Sequence, residues 1–579
     1  MKTYKQRLNL LVAASLDRIA GTEGAAAHVL TASRPEFGDY QANGVMALAK
    51  QLKRNPREIA QQVITDLEQQ NVDYVAAFAV AGPGFINITL DNEALVQRGN
   101  EALADVSTLR PADDQSNTIV IDYSSPNLAK EMHVGHLRGT IIGDCLVRVM
   151  AACGHRIIRQ NHVGDWGTQF GMLITYMQEV SSGDGDLPEQ LADLESFYRQ
   201  AKERFDADPE FATRARSAVV KLQGGDPAHL KAWERFIEES LRHCETVYEK
   251  LGITLTRDDL DAESRYNDAL PGIVAELRDK ELLTESAGAQ CVFLPEFKGK
   301  DDEPLPVIIQ KSDGGYLYST TDLAAIKLRA NEFKADRSLY VVDARQSLHF
   351  QQVFAVARAA GMVTESLSLE HIAYGTMMGS DGRPFKTRSG DTVKLAELLD
   401  EAVRRAFTLV SEKNPELEES ERHDIAERIG IAAVKYADLS KNRTSDYVFD
   451  WGSMLSFDGN TAPYLMYAYA RIKSILRKAD SDDAAIAINT VTEPAERQLL
   501  LKVLQLPEII QAVADECYPN QLCNYLFELS GVFMRFYESC PILKAEPQVR
   551  QSRLALAALT ANTLSEGLSL LGIDPLERM

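Results

Sequence analysis

Two histidines three positions apart, His133 and His136, flank Gly135 where a predicted buried strand gives way to a predicted helix. A glycine there would let an adenine nucleotide approach the backbone. Imidazoles near a helix N-terminus can donate hydrogen bonds to phosphate oxygens, helped by the helix dipole. The pattern therefore favours a phosphate-binding turn. Two unrelated histidines, or part of a metal site, are the alternatives, although the sequence has no His-Glu-x-x-His ligand pattern.

A glycine-rich, basic segment at residues 378–390, MGSDGRPFKTRSG, is a second candidate for phosphate binding. Its cations include Lys386 and Arg388. A mobile loop that carries cations can close over a triphosphate and stabilise the charge that develops on the departing pyrophosphate. We expect this segment to meet the histidine turn over the same triphosphate. A solvated hairpin without a binding role is the alternative.

The elements that must position these residues follow a strand, helix, strand pattern. The run TIVIDYS from Thr118 is a β-branched strand signal, a helix should end at Gly154, and HRIIRQNHV is a second strand. Such a βαβ unit implies a parallel sheet with a ligand crevice at the carboxyl ends of its strands. The predicted buried face of the helix consists of Ile141, Ile142, Cys145, Leu146, Val149 and Met150. Further strand signals lie at residues 292–294, 307–310, 339–343 and 371–378.

We predict three domains around that unit, since 579 residues exceed what one hydrophobic core supports. Residues 1–110 begin with helical patterning and end in the alternating run FINITL, which indicates a small α+β domain. Residues 111–455 form an α/β domain with a Rossmann-like, doubly wound parallel sheet and a charged helical insertion at about 181–257. Residues 456–579 are predicted to be an all-α helical bundle.

Composition sets broad limits on the class of protein. The 62 lysines and arginines against 84 aspartates and glutamates give a net charge of −22. This charge argues against a nucleic-acid partner but does not exclude one, since local basic patches can bind phosphate. Seven scattered cysteines, none in a Cys-x-x-Cys pair, indicate neither disulfides nor a structural zinc site. No apolar run reaches the ~18 residues of a membrane span, and the N-terminus is typical of an amphipathic helix. We expect a cytoplasmic protein.

Two stretches together resemble a known family. The run SSPNLAKEMHVGHLR at residues 124–138 and the run NHVGDWGTQF at residues 161–170 are similar to the arginyl members of the class I aminoacyl-tRNA synthetases. The resemblance implies a ligase that converts L-arginine and ATP to arginyl-adenylate and transfers arginine to the 3′-terminal ribose of tRNA(Arg). It also implies Mg²⁺ with ATP, no tightly bound organic cofactor, no protein nucleophile and efficient activation only with transfer RNA bound. We expect a monomer, although no residue pattern reports oligomeric state.

The resemblance assigns roles in the first step. ATP-binding residues are His133, Gly135, His136, Met378 and Lys386, and catalytic residues are Lys130, His133, His136, Lys386 and Arg388. The second segment resembles the family's Lys-Met-Ser-Lys-Ser motif in degenerate form, because Ser389 or a neighbour stands where that motif has its second lysine. In arginyl enzymes of this kind a lysine just upstream of the histidines is thought to compensate. Lys130 holds that position.

A pocket for arginine needs fixed carboxylates and neutral acceptors, since the guanidinium is a planar, permanently charged fork of donors. The resemblance places Asp322 on the guanidinium with Tyr318 and Gln346 aligning it, and Asn127 and Asp122 on the α-amino and carboxylate end. Lysine could not satisfy that fork, so its rejection should be large without editing. An N-cap before the helical run LAAIKL is the alternative role of Asp322.

Transfer RNA contacts are predicted in both terminal domains. Aromatic side chains stack on unpaired bases while cations hold phosphates, and Tyr464 and Arg471 lie in an aromatic and basic stretch of the C-terminal region, which resembles the family's anticodon-binding domain. Core packing is the alternative for most tyrosines there. The first domain resembles the family's additional N-terminal domain, and Phe85 and Asn87 match its base-reading positions loosely, with ordinary strand packing as the alternative.

Three rival interpretations stay open on the sequence alone. A cysteinyl synthetase would need zinc ligands that the sequence lacks. A smaller nucleotidyltransferase with the same histidine signature would leave the terminal domains unexplained. An inactive synthetase-like RNA-binding or scaffold protein would not need intact Lys130, His133, His136 and Asp322.

Overall fold

The N-terminal region is a four-stranded antiparallel sheet packed against helices. A computed structural model describes residues 2–111, 116–181, 194–299, 302–385, 393–479 and 486–579. The strand order is β1-β2-β4-β3. Alternation along β4 buries Ile86, Ile88 and Leu90 and leaves Phe85 and Asn87 on the half-exposed face. The elements are α1 (Tyr4–Ala20), β1 (Val29–Thr31), β2 (Tyr40–Ala42), α2 (Val45–Leu52), α3 (Pro56–Gln69), β3 (Val75–Ala81), β4 (Phe85–Leu90) and α4 (Asn92–Ala104).

A four-stranded parallel sheet forms the centre of the molecule, as predicted. Its strands are β5 (Thr118–Asp122), β6 (Arg156–Gln160), β10 (Arg337–Tyr340) and β11 (Ser368–His371), in the order β11-β10-β5-β6. The chain runs outward from β5 in both directions, so the sheet is doubly wound. A crevice opens at the switch point between β5 and β10, outside their carboxyl ends.

Apart from those of the insertion, five described α-helices lie between the strands of this sheet along the chain. The helix after β5 is buried on nearly all sides, and the six apolar residues predicted for its inner face are all buried. It ends at Ala152, and Gly154 then adopts a φ of +87°, which a side chain would disfavour. The helices are α5 (Leu137–Ala152), α6 (Thr168–Ser181), α10 (Leu270–Asp279), α11 (Tyr318–Asn331) and α12 (Ser347–Ala359).

Two small sheets lie apart from the central sheet, and both strands predicted for one of them are confirmed. The predicted strands at 292–294 and 307–310 belong to a separate antiparallel sheet of β7 (Leu283–Ser286), β8 (Ala289–Lys298) and β9 (Pro304–Gln310). The predicted strand at 371–378 is wrong in extent, because β11 ends at His371 and a short β12 (Met377–Met378) pairs with β13 (Tyr447–Val448). Gly375 separates the two, pressed so closely against Ser445 that a Cβ would lie 2.6 Å from its carbonyl carbon.

The predicted insertion and the C-terminal part are helical where the structure describes them. Among the described helices, none combines the length and the apolar composition that a membrane span requires. The insertion holds α7 (Leu194–Ala207), α8 (Pro209–Gln223) and α9 (Pro227–Leu251). The later helices are α13 (Leu395–Lys413), α14 (Glu419–Leu439), α15 (Trp451–Met454), α16 (Ala462–Lys478), α17 (Pro494–Leu504), α18 (Leu506–Glu516), α19 (Asn520–Ser539) and α20 (Pro547–Leu570).

The N-terminal region docks directly on these C-terminal helices. Asp39, which is 5% exposed, pairs with Arg497 of α17 through both oxygens, at 2.7 and 2.8 Å. Tyr40 donates to Glu508 of α18 at 2.7 Å. Gly99 of α4 lies so close to Leu500 that a Cβ would approach it to 2.6 Å. The polar and aromatic run around Asp39 therefore joins two distant parts of the chain.

Candidate active site

The histidine turn is a short 3-10 helix, Val134–His136, between β5 and α5. The Nδ1 of His133 accepts a hydrogen bond from the Gly135 amide at 3.0 Å, and the Nδ1 of His136 accepts one from the His133 amide at 3.1 Å. With each Nδ1 acting as acceptor, the proton of each neutral ring lies on Nε2. The ring centres are 4.0 Å apart. The turn thus provides two N–H donors side by side.

Gly135 has a local steric reason to be glycine. A Cβ at that position would lie 2.8 Å from Cε1 and 2.9 Å from Nδ1 of the His133 ring. The missing side chain therefore lets the imidazole fold back over the turn and accept the amide hydrogen bond.

Both histidines favour the neutral state. Burial, reinforced by His133, lowers the pKa of His136 to about 3. Burial also lowers the pKa of His133, and the cations of Lys130 and Arg345 add to the effect. Near neutral pH the pair can donate hydrogen bonds to phosphate but carries no positive charge. Charge for a triphosphate must come from other residues.

The turn and the second basic segment share one cavity. A space of about 190 Å³ is lined by His133 and Gly135 on one side and by Met377, Pro384 and Phe385 on the other. Asp343 and Arg345, which follow β10, also line it. The cavity therefore opens at the switch point of the sheet.

The chain that follows the second segment is hydrogen bonded to the histidine turn. Met378 forms an isolated bridge with Pro384 before the gap at 386–392, so predicted Lys386 and Arg388 lie outside the described residues. After the gap, the carbonyl of Val393 accepts a hydrogen bond from the Val134 amide at 3.0 Å. The part before residue 386 thus shares a cavity with the turn, and the part after residue 392 bonds to the turn.

Lys130 lies beside the same turn and contacts the helical insertion. Its Nζ is 4.4 Å from the centre of the Tyr198 ring, on α7. Its charge is one of the causes of the lowered pKa of His133. No sequence pattern indicated Tyr198, because the contact joins residues far apart in the chain.

Three predicted arginine-binding residues lie on two neighbouring elements. Tyr318 and Asp322 are one turn apart on α11, and Gln346 immediately precedes α12. Leu317 is the N-cap of α11, so the alternative role of Asp322 as an N-cap is wrong. Tyr318 is 62% exposed. His349 of α12, which sequence reasoning missed, hydrogen bonds to Asp322 with 2.6 Å between Nε2 and Oδ2.

Asp122 ends β5, but its carboxylate is engaged by the protein. One oxygen accepts from the buried Arg329 at 2.8 Å and the other from the Ser125 hydroxyl at 2.8 Å. Arg329 also donates to Gln160 at 2.6 Å. Any ligand contact by Asp122 would have to use its remaining lone pairs. Sequence reasoning missed Arg329, whose partner lies 207 positions away.

Asn127 is exposed beside the run NHVGDWGTQF at residues 161–170. The Gly164 amide donates to the Pro126 carbonyl at 3.1 Å. A Cβ on Gly164 would lie 2.2 Å from the Asn127 Oδ1. The glycine of the NHVGDWG run therefore makes room for the Asn127 side chain.

A partly buried charged group near Asp322 was also missed. Burial raises the pKa of Glu263 to about 7, with Asp165 and Asp322 adding to the shift and His162 opposing it. In the described part of the chain its carboxylate has no hydrogen-bond or ion-pair partner. Burial opposes protonation of His162, but Asp261, Asp122 and Asp322 outweigh it and raise its pKa to about 9. The acidic run DDLDAES was the available signal.

The predicted transfer RNA contacts lie in the other two regions. Asn87 accepts a hydrogen bond from Gln41 at 2.8 Å on the open face of β4. Tyr464 packs on Phe527 with ring centres 5.5 Å apart, and Arg471 lies over Tyr537 at 5.0 Å. Their roles stay predictions.

Metal ligands do not cluster in the described ranges, where no group of three or more histidine, cysteine, aspartate or glutamate side chains could hold a metal ion. All seven cysteines are free and buried.

Comparison with known proteins places the chain in a family. A model of tRNA synthetases class I (R), catalytic domain, matches residues 100–451. The arginyl tRNA synthetase N terminal domain matches residues 6–90, and the DALR anticodon binding domain matches residues 465–579. An arginine–tRNA ligase of Chromobacterium violaceum is 56% identical over 578 residues, which is 100% of both chains. The chain belongs to the arginyl-tRNA synthetase family.

Further members of the arginyl-tRNA synthetase family agree in sequence and fold. An arginine–tRNA ligase of Laribacter hongkongensis is 56% identical, again over 100% of both chains. The solved arginyl-tRNA synthetases of Plasmodium falciparum and Thermus thermophilus superpose with TM-scores of 0.85 and 0.83 at 28% and 26% identity, each covering 100% of both chains. The chain is thus a class I ligase that acts on arginine, ATP and tRNA(Arg), and the cysteinyl and smaller nucleotidyltransferase rivals are excluded.

Proposed function

We propose that the cavity between the histidine turn and the second basic segment binds ATP for activation of arginine. An oxygen of the arginine carboxylate attacks the α-phosphorus in line, the bond from that phosphorus to the bridging oxygen breaks, and pyrophosphate leaves with the electron pair. The 2′-hydroxyl of the terminal ribose of tRNA(Arg) then attacks the acyl carbon and releases AMP. The observation that carries this proposal is the cavity that His133 and Gly135 share with Met377, Pro384 and Phe385.

ATP would be held by uncharged donors and separate cations. The Nε2–H groups of His133 and His136 would donate to phosphate oxygens, and Lys130 would supply positive charge beside them. Lys386 and Arg388 of the second segment would add cations, and Mg²⁺ would enter with ATP. Such a site works by positioning and charge stabilisation, which needs no protein nucleophile.

Arginine would lie between α11 and the acidic run before α10. We assign its guanidinium to Asp322, with Tyr318 and Gln346 aligning it. We add Glu263 because its partly buried carboxylate has no partner among the residues that the structure describes. Asn127 and Asp122 take the α-amino and carboxylate end, Asp122 within its pair with Arg329. Lysine cannot fill all the acceptors that a guanidinium satisfies, and the acceptors it leaves without a donor would lower the affinity for that amino acid.

Transfer RNA would contact the two terminal regions. We propose that residues 1–110, 111–455 and 456–579 act as D-arm-contacting, catalytic and anticodon-binding domains. Support comes from the family matches at 6–90, 100–451 and 465–579. Phe85, Asn87, Tyr464 and Arg471 are the proposed base and phosphate contacts.

The test is arginine-dependent ATP–pyrophosphate exchange, measured with and without cognate transfer RNA. We expect exchange that depends strongly on the RNA, and His136→Ala should reduce it at least about 100-fold, because one preorganised donor to transition-state charge is worth about that much. His423→Ala, on the exposed face of α14, is the matched control. Wild-type exchange by His136→Ala would contradict the proposed ATP site.

A further inference from the structure

We propose that His349 is a positioning residue of the arginine pocket, which fixes the Asp322 carboxylate and the Tyr318 ring. The inference rests on the proposed function, in which Asp322 and Tyr318 bind the guanidinium. It adds a residue of α12 that acts through them and that the sequence patterns did not indicate.

The geometry joins two helices through one short hydrogen bond. The Nε2 of His349 on α12 lies 2.6 Å from Oδ2 of Asp322 on α11, and both side chains are largely shielded, at 17% and 16% exposed. An ionised carboxylate can only accept, so the proton between them is carried by the imidazole nitrogen. The bond occupies one oxygen of the Asp322 carboxylate, Oδ2, and leaves the other, Oδ1, for a ligand.

The same imidazole also limits the movement of Tyr318. The two rings meet edge to face, with centres 4.9 Å apart and planes at 69°. Because Tyr318 is 62% exposed, this ring contact is a main constraint on its orientation among the described residues. His349 therefore touches both side chains that the guanidinium would need in fixed positions.

Support for His349 comes from the core behind it. Its ring packs on Phe350 with centres 5.2 Å apart, and Phe350 is only 7% exposed. Phe350 in turn packs on Tyr340 and Phe354, at 5.1 and 5.7 Å. This aromatic cluster thus supports the His349 ring, and the ring in turn positions the Asp322 carboxylate. A precise binding site requires supporting contacts of this kind.

Histidine suits this position for a chemical reason. An imidazole can hold a carboxylate through one N–H without bringing a permanent charge. A lysine or arginine would pair with Asp322 at every pH and compete with the guanidinium of the substrate. An apolar residue would leave the carboxylate free to rotate.

The test compares His349→Phe, which keeps a ring beside Tyr318 and Phe350, with His349→Gln, whose Nε2 can take the place of the imidazole donor. The KM values for arginine and for ATP are measured by pyrophosphate exchange with cognate transfer RNA present. We expect His349→Phe to raise the arginine KM about ten-fold or more, the usual effect of losing a hydrogen bond to a charged group. The ATP KM should change less than about two-fold, and His349→Gln should stay within about three-fold of wild type for both.

A third variant and a thermal melt keep the test interpretable. If His349→Phe melts well below wild type, His349→Asn replaces it, because the shorter amide cannot reach Asp322. An unchanged arginine KM in the folded variant, or equal defects in His349→Phe and His349→Gln, would overturn the inference.

The variant Asp322→Asn distinguishes a failure of the role proposed for His349 from a failure of the proposed arginine pocket. If Asp322→Asn raises the arginine KM and His349→Phe does not, only the role of His349 is wrong. If Asp322→Asn itself leaves the arginine KM unchanged, the pocket assignment is wrong. In the double variant the two effects should be strongly non-additive, since both residues act through one carboxylate.

Discussion

The ammonium group of Lys130 lies 4.4 Å from the centre of the Tyr198 ring. One residue belongs to the segment that leads into the histidine turn, and the other belongs to the helical insertion. A cation–π contact at an exposed site contributes about 0.5–1 kcal/mol, so a phosphate group can compete for the lysine. The insertion therefore holds the proposed catalytic cation close to the cavity without trapping it.

Replacing Lys130 should slow the first chemical step. We expect Lys130→Ala to reduce single-turnover adenylate formation at least about ten-fold, because it removes a cation placed beside the phosphate site. Rapid-quench measurement of the adenylate with saturating arginine and ATP, and with transfer RNA bound, reports this directly. Lys202→Ala on the exposed face of α7 is the control. A rate within a few-fold of wild type would remove Lys130 from the mechanism.

Tyr198 should matter through its ring and not its hydroxyl. Tyr198→Leu is expected to lower the same rate about three-fold, since it loses the cation–π contact, while Tyr198→Phe should match wild type. Comparable rates for Tyr198→Leu and Tyr198→Phe would show that the contact does not preorganise Lys130.

Asp322 should determine affinity for arginine and not for ATP. Asp322→Asn is expected to raise the arginine KM at least about ten-fold, because the guanidinium loses its charged partner, and to leave the ATP KM within about two-fold. Asp424→Asn on the exposed surface of α14 is the matched control and should change neither. The measurement is pyrophosphate exchange at varied arginine and ATP.

Glu263 should make the protein without ligands less stable as pH rises through about 7. Burial raises its pKa from 4.5 to about 7. Its neutral form is therefore favoured in the folded chain, and the stability that this form contributes below pH 4.5 is lost as pH rises through about 7. At pH 8 the buried charge costs up to about 3 kcal/mol, at 1.36 kcal/mol per pKa unit.

Glu263→Gln removes that titration. Its Tm without ligands should exceed the wild-type Tm at pH 8, by a few degrees, and should approach it at pH 5. Glu285→Gln on the exposed part of β7 is the control, and its Tm should follow wild type at both values. A larger gain at pH 5 than at pH 8 has the wrong sign for a buried carboxylate.

Phe85 should contribute to transfer RNA binding from the open face of β4. Phe85→Ala is expected to weaken the RNA affinity about ten-fold, since stacking on a base is worth about 1–3 kcal/mol, without changing the ATP KM. Phe78→Ala is a matched control, because Phe78 pairs with the buried Ile88 and so lies on the opposite face of the sheet. Filter binding at fixed salt gives both affinities, and equal losses would indicate packing and not base contact.

Local patterns predicted the parts of the fold that depend on local interactions. The β-branched run at Thr118 and the apolar face of α5 follow directly from residue spacing, and both stand as predicted. The pairing of Met377 with Tyr447 depends on segments 70 positions apart and left no periodic signal. The predicted strand at 371–378 is too long because that long-range pairing makes Met377–Met378 a separate strand.

The candidate site likewise contains residues that local patterns predicted and residues that they missed. Of the site residues assigned from the first family-like run, His133 and Gly135 line the cavity beyond β5, as expected for a loop that follows a strand of a parallel sheet. Arg329, His349 and Tyr198 were missed, since each acts on a residue of another element and no spacing rule connects them. Lys386 and Arg388 remain predictions beyond the described residues.

The ion pair between Asp39 and Arg497 has a consequence for removal of the first domain. Deleting residues 1–110 would leave Arg497 without its partner Asp39 and would expose Leu500. Weaker RNA binding by such a truncated protein would therefore include the effect of a damaged helical bundle. The intact pair also holds the two terminal regions at a defined separation. If Phe85 and Tyr464 both contact RNA, a bound transfer RNA must match the distance between them, which the protein sets in advance. The overall shape of the transfer RNA would then contribute to its selection, in addition to individual bases.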